Sequence, residues 1–409
     1  MTTLSHPGDA LSRRQRTVYI LILGALTALG PFTIDLYLPA FPRIAEELHT
    51  SDAAVQLTLT ATTIGFGIGQ LIIGPWSDTI GRRIPLLVAS SLHVIASLGV
   101  ILAPSVELVA VMRVGQGVGA AAGSVVALAM VRDLFGGKPL VRMLSRLALV
   151  NGLAPVLAPL IGSQLLRVMD WRGVFVFLAG YGVFVLVATA VFLVETLPAE
   201  ARRTTGRVSV LDRFRALFRD RVFLGAALIG GMVFSSILSY VSSSPFLLQD
   251  LYGIDPQQFG LLFGLNSFGL LVAVQVSARL VPRIGAAWVL AIGTSSIALS
   301  GAALVVAAHL GNGPLTVIVP FFFLVSSCGL CFPCIQVLTL ANHGTEAGTA
   351  ASLTGAANAA IAGLVSTIPG FIGLTSGAPV GWVVLAAMTV ATASLWLLVR
   401  PWSVPPLAD

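Results

Sequence analysis

The chain has 409 residues, of which 56% are hydrophobic and 10% charged, where an ordinary soluble domain carries roughly 25% charge; with 42 glycines besides, this is the composition of an integral membrane protein. Its net charge of +6 comes from basic residues scattered between apolar runs, which excludes the single basic face of a nucleic-acid-binding protein. The three cysteines, Cys328, Cys331 and Cys334, fall in one apolar run and offer no disulfide framework.

Twelve windows are long enough to cross a bilayer at about 20 residues each. They lie at roughly 17–40, 54–76, 84–103, 107–131, 143–166, 174–194, 222–248, 259–279, 286–309, 314–340, 348–374 and 380–399, numbered here as spans 1 to 12. The fold class is an all-α membrane protein. The domain plan is a tail at 1–16, a six-span half at 17–194, a polar linker at 195–221, a second six-span half at 222–399 and a tail at 400–409. The first run is too long for the apolar core of a signal peptide and lacks a small-residue cleavage site, so span 1 is expected to remain in the mature protein.

Basic residues collect in cytoplasmic loops. With the N-terminus inside, the cytoplasmic segments hold all the Lys and Arg except Arg43, Arg167 and Arg172 on the other side and Arg113 within span 4. Both termini are therefore expected in the cytoplasm.

In span 1 the stretch GPFTIDLYLPAFP, Gly30 to Pro42, puts Asp35 where hydrocarbon is expected. A charge there costs about 2.5–3.5 kcal/mol on insertion scales, so it normally faces protein or a water-filled cavity. Tyr37, Pro39 and Pro42 follow, and they suit a broken helix end of the kind tolerated only where neighbours or water satisfy the backbone.

After span 2 comes GPWSDTIGRRIPL, in which Asp78 suits a helix N-terminus or a basic partner that braces this end in one conformation. A fainter copy, SARLVPRIG, follows span 8 at the matching position without the acid, a repeat of the sort common in secondary transporters.

Span 4 carries RVGQGVGAAAG, whose Gly115, Gly119 and Gly123 leave one face bare for a close neighbour. Its Arg113 needs a carboxylate, water or carbonyl partner, or must snorkel to the surface. Counted from span ends at Ala40 and Glu107, Asp35 and Arg113 lie at one level, about 7–9 Å below the outer surface. Span 5 reads NGLAPVLAPLIG, with Asn151, Gly152, Pro155, Pro159 and Gly162, and its two prolines each remove a ladder hydrogen bond.

In span 7, Ser235, Ser239 and Ser242 form a hydroxyl stripe that continues to Phe246; it either lines a cavity or bonds to backbone. With Tyr37, Gln116 and Asn151 these complete the candidate substrate-cavity residues. The cysteines of span 10 read as small hydrophobes rather than metal ligands, His93 and His309 read as packing histidines, and Gly355, Ala359 and Gly363 as a packing stripe in span 11. The phosphate-binding pattern G-x-x-x-x-G-K-[ST] is missing from the sequence, so transport is not expected to be driven by ATP hydrolysis on this chain.

GPWSDTIGRRIPL resembles the signature between helices 2 and 3 of the major facilitator superfamily, matched at Gly74, Asp78, Gly81, Arg82 and Arg83. RVGQGVGAAAG resembles its helix 4 motif, in which the arginine is tied to proton transfer. NGLAPVLAPLIG resembles the helix 5 motif of antiporters, in an AP-rich variant at Gly152, Pro155, Pro159 and Gly162. With IDLYLPAFP in span 1, WRGVF at 171–175 and ETLP at 195–198, the first half is similar to the Bcr/CflA family of drug:proton antiporters.

The resemblance implies two six-helix bundles that rock around a central cavity in the bacterial inner membrane and export a small lipophilic compound in exchange for protons. Chloramphenicol-like or bicyclomycin-like antibiotics are the implied substrates. Asp35 would be the protonated group and Arg113 its counter-charge, with the 2–3 connection as a conformational gate. The implied partners are a small-molecule substrate, protons and the lipid bilayer, with no nucleic acid, cofactor, metal or enzymatic activity, and the chain is expected to work as a monomer. A proton-coupled importer of a metabolite uses the same scaffold. A receptor or scaffold would need a large ligand or signalling domain, which no loop here is long enough to form.

Overall fold

The computed structural model describes residues 8, 11–202, 220–310, 313–340 and 347–403, so most of the expected linker, 203–219, lies outside the described residues. Among the described residues, twelve helices are long and apolar enough to cross a membrane, and the chain is a multi-pass membrane protein. Several begin on polar side chains that occupy backbone N–H groups which lipid cannot satisfy. Ser12 and Gln15 form a reciprocal capping box at span 1. Asp170 accepts from Gly173 N at 2.9 Å, Asp220 from Val222 N at 2.8 Å and Asp255 from Gln257 N at 2.9 Å, at the starts of spans 6, 7 and 8.

Span 1 corrects the expected boundary. Its helix Arg13–Asp35 ends at the carboxylate itself, a 3₁₀ turn follows at Leu38–Ala40, and a second helix, Phe41–Glu47, continues the span beyond Ala40. Pro39 lies inside the turn and Pro42 in the first turn of the second helix, where its missing N–H costs nothing. Asp35 thus stands at an internal break, so a depth counted from an end at Ala40 does not hold, although Arg113 still meets span 1 at this level, through the Thr33 carbonyl and the Tyr37 ring.

The chain forms two compact units, residues 1–37 with 61–207 and residues 38–60 with 208–409. In the first, span 4 packs on spans 1 and 3, span 5 on span 1, and span 6 on spans 1 and 3. The second repeats this order, with span 10 on spans 7 and 9, span 11 on span 7, and span 12 on spans 7 and 9. Its segment Leu38–Thr60 is tied in by Gln56 Nε2 donating to Ser243 Oγ at 3.4 Å and Thr60 Oγ1 donating to the Gly363 carbonyl at 3.2 Å.

Span 4 (Val106–Leu134) is the hub of the first unit because its small residues admit backbone on several sides. A Cβ at Gly119 would meet Ala89 O at 2.6 Å on span 3, one at Gly123 would overlap Leu26 O on span 1, and one at Gly117 would overlap Thr62 O on span 2. The glycine face expected to serve one neighbour therefore serves two, and Gly117 adds a third.

Candidate functional site

Arg113 is fully buried in span 4, and the fold gives it neutral partners. Its Nη2 donates to the Thr33 carbonyl at 2.8 Å, in the last turn before the break in span 1, and its Nη1 donates to Gln116 Oε1 at 2.8 Å. The guanidinium lies over the Tyr37 ring, 4.0 Å from its centroid, with Phe175 of span 6 at 5.7 Å. Carbonyl dipoles and π faces thus solvate a cation that would otherwise be very costly at this depth.

Asp35 is 7% exposed, two residues past Thr33, and close enough to feel the charge of Arg113. Among the described residues it forms no ion pair with Arg113, whereas Arg82 pairs with both Asp78 and Asp133. The break in span 1 therefore presents the acid beside an arginine whose two terminal nitrogens are already engaged.

Three residues absent from the expected site complete it. Gln116 Nε2 donates to Ser97 Oγ at 2.7 Å, Ser97 Oγ donates to the His93 carbonyl at 2.7 Å, and Thr33 Oγ1 meets His93 Nε2 at 2.9 Å. His93, expected as a satisfied packing histidine, is fully buried, and its Nε2 is hydrogen-bonded to Thr33 in the surroundings of Arg113. The available signal was His93 and Ser97 one turn apart on a span whose other polar residues are Arg83, Ser90 and Ser91.

At the arginine-rich end the 2–3 connection forms a clasp. Arg82 is bonded through Nη1 to Asp78 and to Ser77 Oγ at 2.9 Å, and through Nε to Asp133 Oδ2 at 2.9 Å. Burial disfavours its charge, but the hydrogen bonds and charges of Asp133 and Asp78 outweigh that and raise its pKa. Asp78 thus has a basic partner. Gly81 makes the turn at φ +104°, and a Cβ there would run into the Glu195 carboxylate.

Glu195, just after span 6, accepts from Arg82 N at 2.8 Å, Arg83 N at 3.1 Å and Leu197 N at 2.9 Å. Burial alone would raise its pKa, yet these N–H groups, with that of Thr196, hold it below the usual carboxylate range. Arg83 Nη2 donates to the Ala190 carbonyl at 2.6 Å, and a Cβ at Gly74 would stand 3.3 Å from Val125. Asp133 and Glu195 were missed from sequence because nothing local marks them as partners of a turn more than fifty residues away.

The remaining candidates are dispersed. Span 5 is one helix, Gly137–Leu165, with Pro155 and Pro159 inside it. Pro159 is buried, Pro155 and Gly152 are half-buried and Asn151 is exposed. A Cβ at Gly162 would overlap the Leu36 carbonyl, so span 5 crosses span 1 beside Asp35. In span 7, Ser235 donates to Gly231 O at 2.7 Å, Ser242 to Ser366 O at 3.0 Å, Ser239 Oγ has no partner, and Phe246 packs on Phe41. All four are buried. A cavity of about 580 Å³ in the second unit, lined by Arg43, Glu46, Gln249 and Asp250 among others, shares none of the candidate residues. Cys328, Cys331 and Cys334 are buried free thiols.

A family profile described as Major Facilitator Superfamily matches residues 20–367. The chain belongs to that superfamily. A Bacillus subtilis (strain 168) protein described as the uncharacterized MFS-type transporter YdgK is 33% identical, over 95% of this chain and 96% of the relative. A bicyclomycin resistance protein homolog of Haemophilus influenzae is 29% identical, over 93% of this chain and 96% of the relative. Among solved structures, a D-xylose-proton symporter matches with TM-score 0.78 at 17% identity, covering 96% of this chain and 99% of that one, a likeness of fold alone. The relatives' names agree with the resemblance to the Bcr/CflA family, and this membrane transporter is not an enzyme.

Proposed function

We propose that this major facilitator transporter exports small lipophilic compounds, chloramphenicol-like or bicyclomycin-like antibiotics among them, across the bacterial inner membrane in exchange for protons. Transport runs by alternating access, and both termini lie in the cytoplasm. The observation that carries this reading is the pairing of a fully buried Arg113, held by neutral acceptors, with a nearby Asp35 that it does not engage. A carboxylate in that position has a proton affinity that depends on how closely the arginine approaches and on what lies between them. Substrate entering there favours proton release, and a proton arriving from the other side favours substrate release. The bicyclomycin resistance relative supports the substrate class. The clasp of Asp78, Arg82, Asp133 and Glu195 serves as the gate that braces the cytoplasmic end.

The test is expression in a pump-deficient bacterium, with a susceptibility panel and accumulation assays that include chloramphenicol and bicyclomycin. Wild type should lower accumulation in a manner abolished by collapsing the proton gradient, and Asp35→Asn should abolish pH-dependent efflux. Normal gradient-driven export by Asp35→Asn would remove Asp35 as the coupling group.

A further inference from the structure

The hydrogen bonds around Arg113 close on themselves. Beginning at Arg113 on span 4, Nη1 reaches Gln116, Gln116 reaches Ser97 on span 3, and Ser97 reaches the carbonyl of His93 one turn away. The His93 ring returns to the Thr33 hydroxyl on span 1, and the Thr33 carbonyl returns to Arg113 Nη2. Spans 1, 3 and 4 are thus joined by one ring of side chains, all buried.

The direction of the bond between Thr33 and His93 follows from proton counting. A threonine hydroxyl has one proton, and that of Thr33 goes to the Leu29 carbonyl at 2.6 Å. The contact with His93 Nε2 must then be donated by the imidazole, which places a proton on Nε2. His93 Nδ1 is left as a buried acceptor without a partner, in the space where a Cβ at Gly182 would stand 2.9 Å away. The titratable and charged groups on the elements around His93 include Arg113 on span 4, Asp35 and Tyr37 at the break of span 1, and Tyr181 on span 6, whose hydroxyl donates to the Ala25 carbonyl, with Tyr19, Glu107, Arg132, Asp133 and Arg172 elsewhere on those spans. A second proton on the imidazole would add a cation beside Arg113 with no acid bonded to it.

We propose that His93 is a positioning residue for coupling: as a neutral donor it closes the ring that holds the Arg113 guanidinium on the last turn of span 1, and so sets the distance at which that charge acts on Asp35. The proposal rests on the coupling reading above. Each terminal nitrogen of Arg113 commits one N–H to the ring, while Nε has no partner among the described residues, and the bond from His93 to Thr33 resists movement of the guanidinium off the last turn of span 1 toward Asp35. Opening the ring frees the guanidinium toward the acid, and efflux then requires a lower pH to reload the carboxyl.

Two measurements on the full chain test this. In lipid nanodiscs with ¹⁵N-labelled histidine, the His93 signals, identified by their loss in His93→Gln, should show Nε2 protonated and Nδ1 bare, unchanged between about pH 5 and 8. An Nδ1-protonated tautomer, or titration in that range, overturns the ring. In proteoliposomes, efflux of chloramphenicol or bicyclomycin is followed against pH for wild type, His93→Leu, His93→Gln and Thr33→Val. His93→Leu and Thr33→Val should each displace the midpoint toward acid by about one pH unit, the double variant no further, and His93→Gln, whose amide can donate from the Nε2 position, should restore the wild-type profile. If His93→Leu is not monodisperse, Thr33→Val carries the comparison. A profile unmoved in the ring-opening variants, or moved as far in His93→Gln, overturns the positioning role. Absence of any pH-dependent efflux in wild type removes the coupling reading instead, and the tautomer then decides the ring by itself.

Discussion

The turn after span 2 and the turn after span 8 occupy matching places in the two halves, and comparing them separates what the repeat keeps from what it has lost. Both close on a glycine in the positive-φ region, Gly81 at +104° and Gly285 at +86°, and in both its N–H returns to the fourth residue back, Ser77 O at 3.2 Å and Val281 O at 2.9 Å. The backbone device is the same. The next two residues are Arg82 and Arg83 in one case and Ala286 and Ala287 in the other. Arg82 is buried among Asp78, Ser77 and Asp133, while the nearest second-half arginine, Arg283, is exposed and forms no ion pair among the described residues.

The bundle centres differ in the same sense. Span 10, which takes in its half the pairings that span 4 takes in the other, places Phe321 4.9 Å from Tyr240, whose hydroxyl accepts from Asn266 at 2.9 Å. Where the first half buries an arginine, the second buries a neutral aromatic group. The pair teaches that the helix-packing plan tolerates either content, so the charged elements of the first half answer to something other than packing.

The largest contrast should come from the centres. Arg113→Ala is expected to lower efflux at least about tenfold, which is about 1.4 kcal/mol or more, whereas Asn266→Ala should stay within about threefold. Initial rates in proteoliposomes, normalised to incorporated protein, measure both, and equal losses would erase the functional asymmetry between the halves.

The turn glycines come next. At Gly285 nothing lies within 4 Å of an added Cβ, so Gly285→Ala should cost only the backbone strain of about 1–3 kcal/mol. Gly81→Ala adds a collision with the Glu195 carboxylate and should lower the melting temperature further. Equal melting temperatures would show that Glu195 yields freely.

Arg82→Ala, which removes the basic partner shared by Asp133 and Asp78 and leaves Asp133 the Thr196 hydroxyl, should cost about 1.5–3 kcal/mol, against within about 0.5 kcal/mol for Arg283→Ala. Detergent-stability curves for the two variants measure this difference, and coincident curves would mean that the clasp is not a brace.

The smallest effect concerns pH. Because the folded structure holds the Glu195 carboxyl below its ordinary value, its contribution is fully present above that value, about 4.3, and fades as pH falls through the lowered one. Glu195→Gln should therefore melt earlier than wild type at neutral pH, and the difference should vanish at acid pH. A gap that widens on acidification would reverse the assignment.

The sequence by itself determined the membrane class, the twelve spans and a broken helix near Tyr37, Pro39 and Pro42, because hydrophobic run length and proline placement act locally along one helix; where the break begins, at Asp35, came from the structure. It also determined that Asp35 and Arg113 are costly where they lie, because the expense of a charge in an apolar run needs no partner to be recognised. Only the tertiary structure decided what these charges touch. Thr33 and His93 are 60 positions apart, Arg82 and Glu195 are 113 apart, and their meeting depends on which helix faces turn together. Periodicity gives the face of one helix but not the face opposite it. For the same reason the expected partnership of Arg113 resolved into Thr33, Gln116 and Tyr37, and the span-7 hydroxyls Ser235 and Ser242 resolved into backbone bonds, since a buried polar group takes the nearest acceptor that packing supplies.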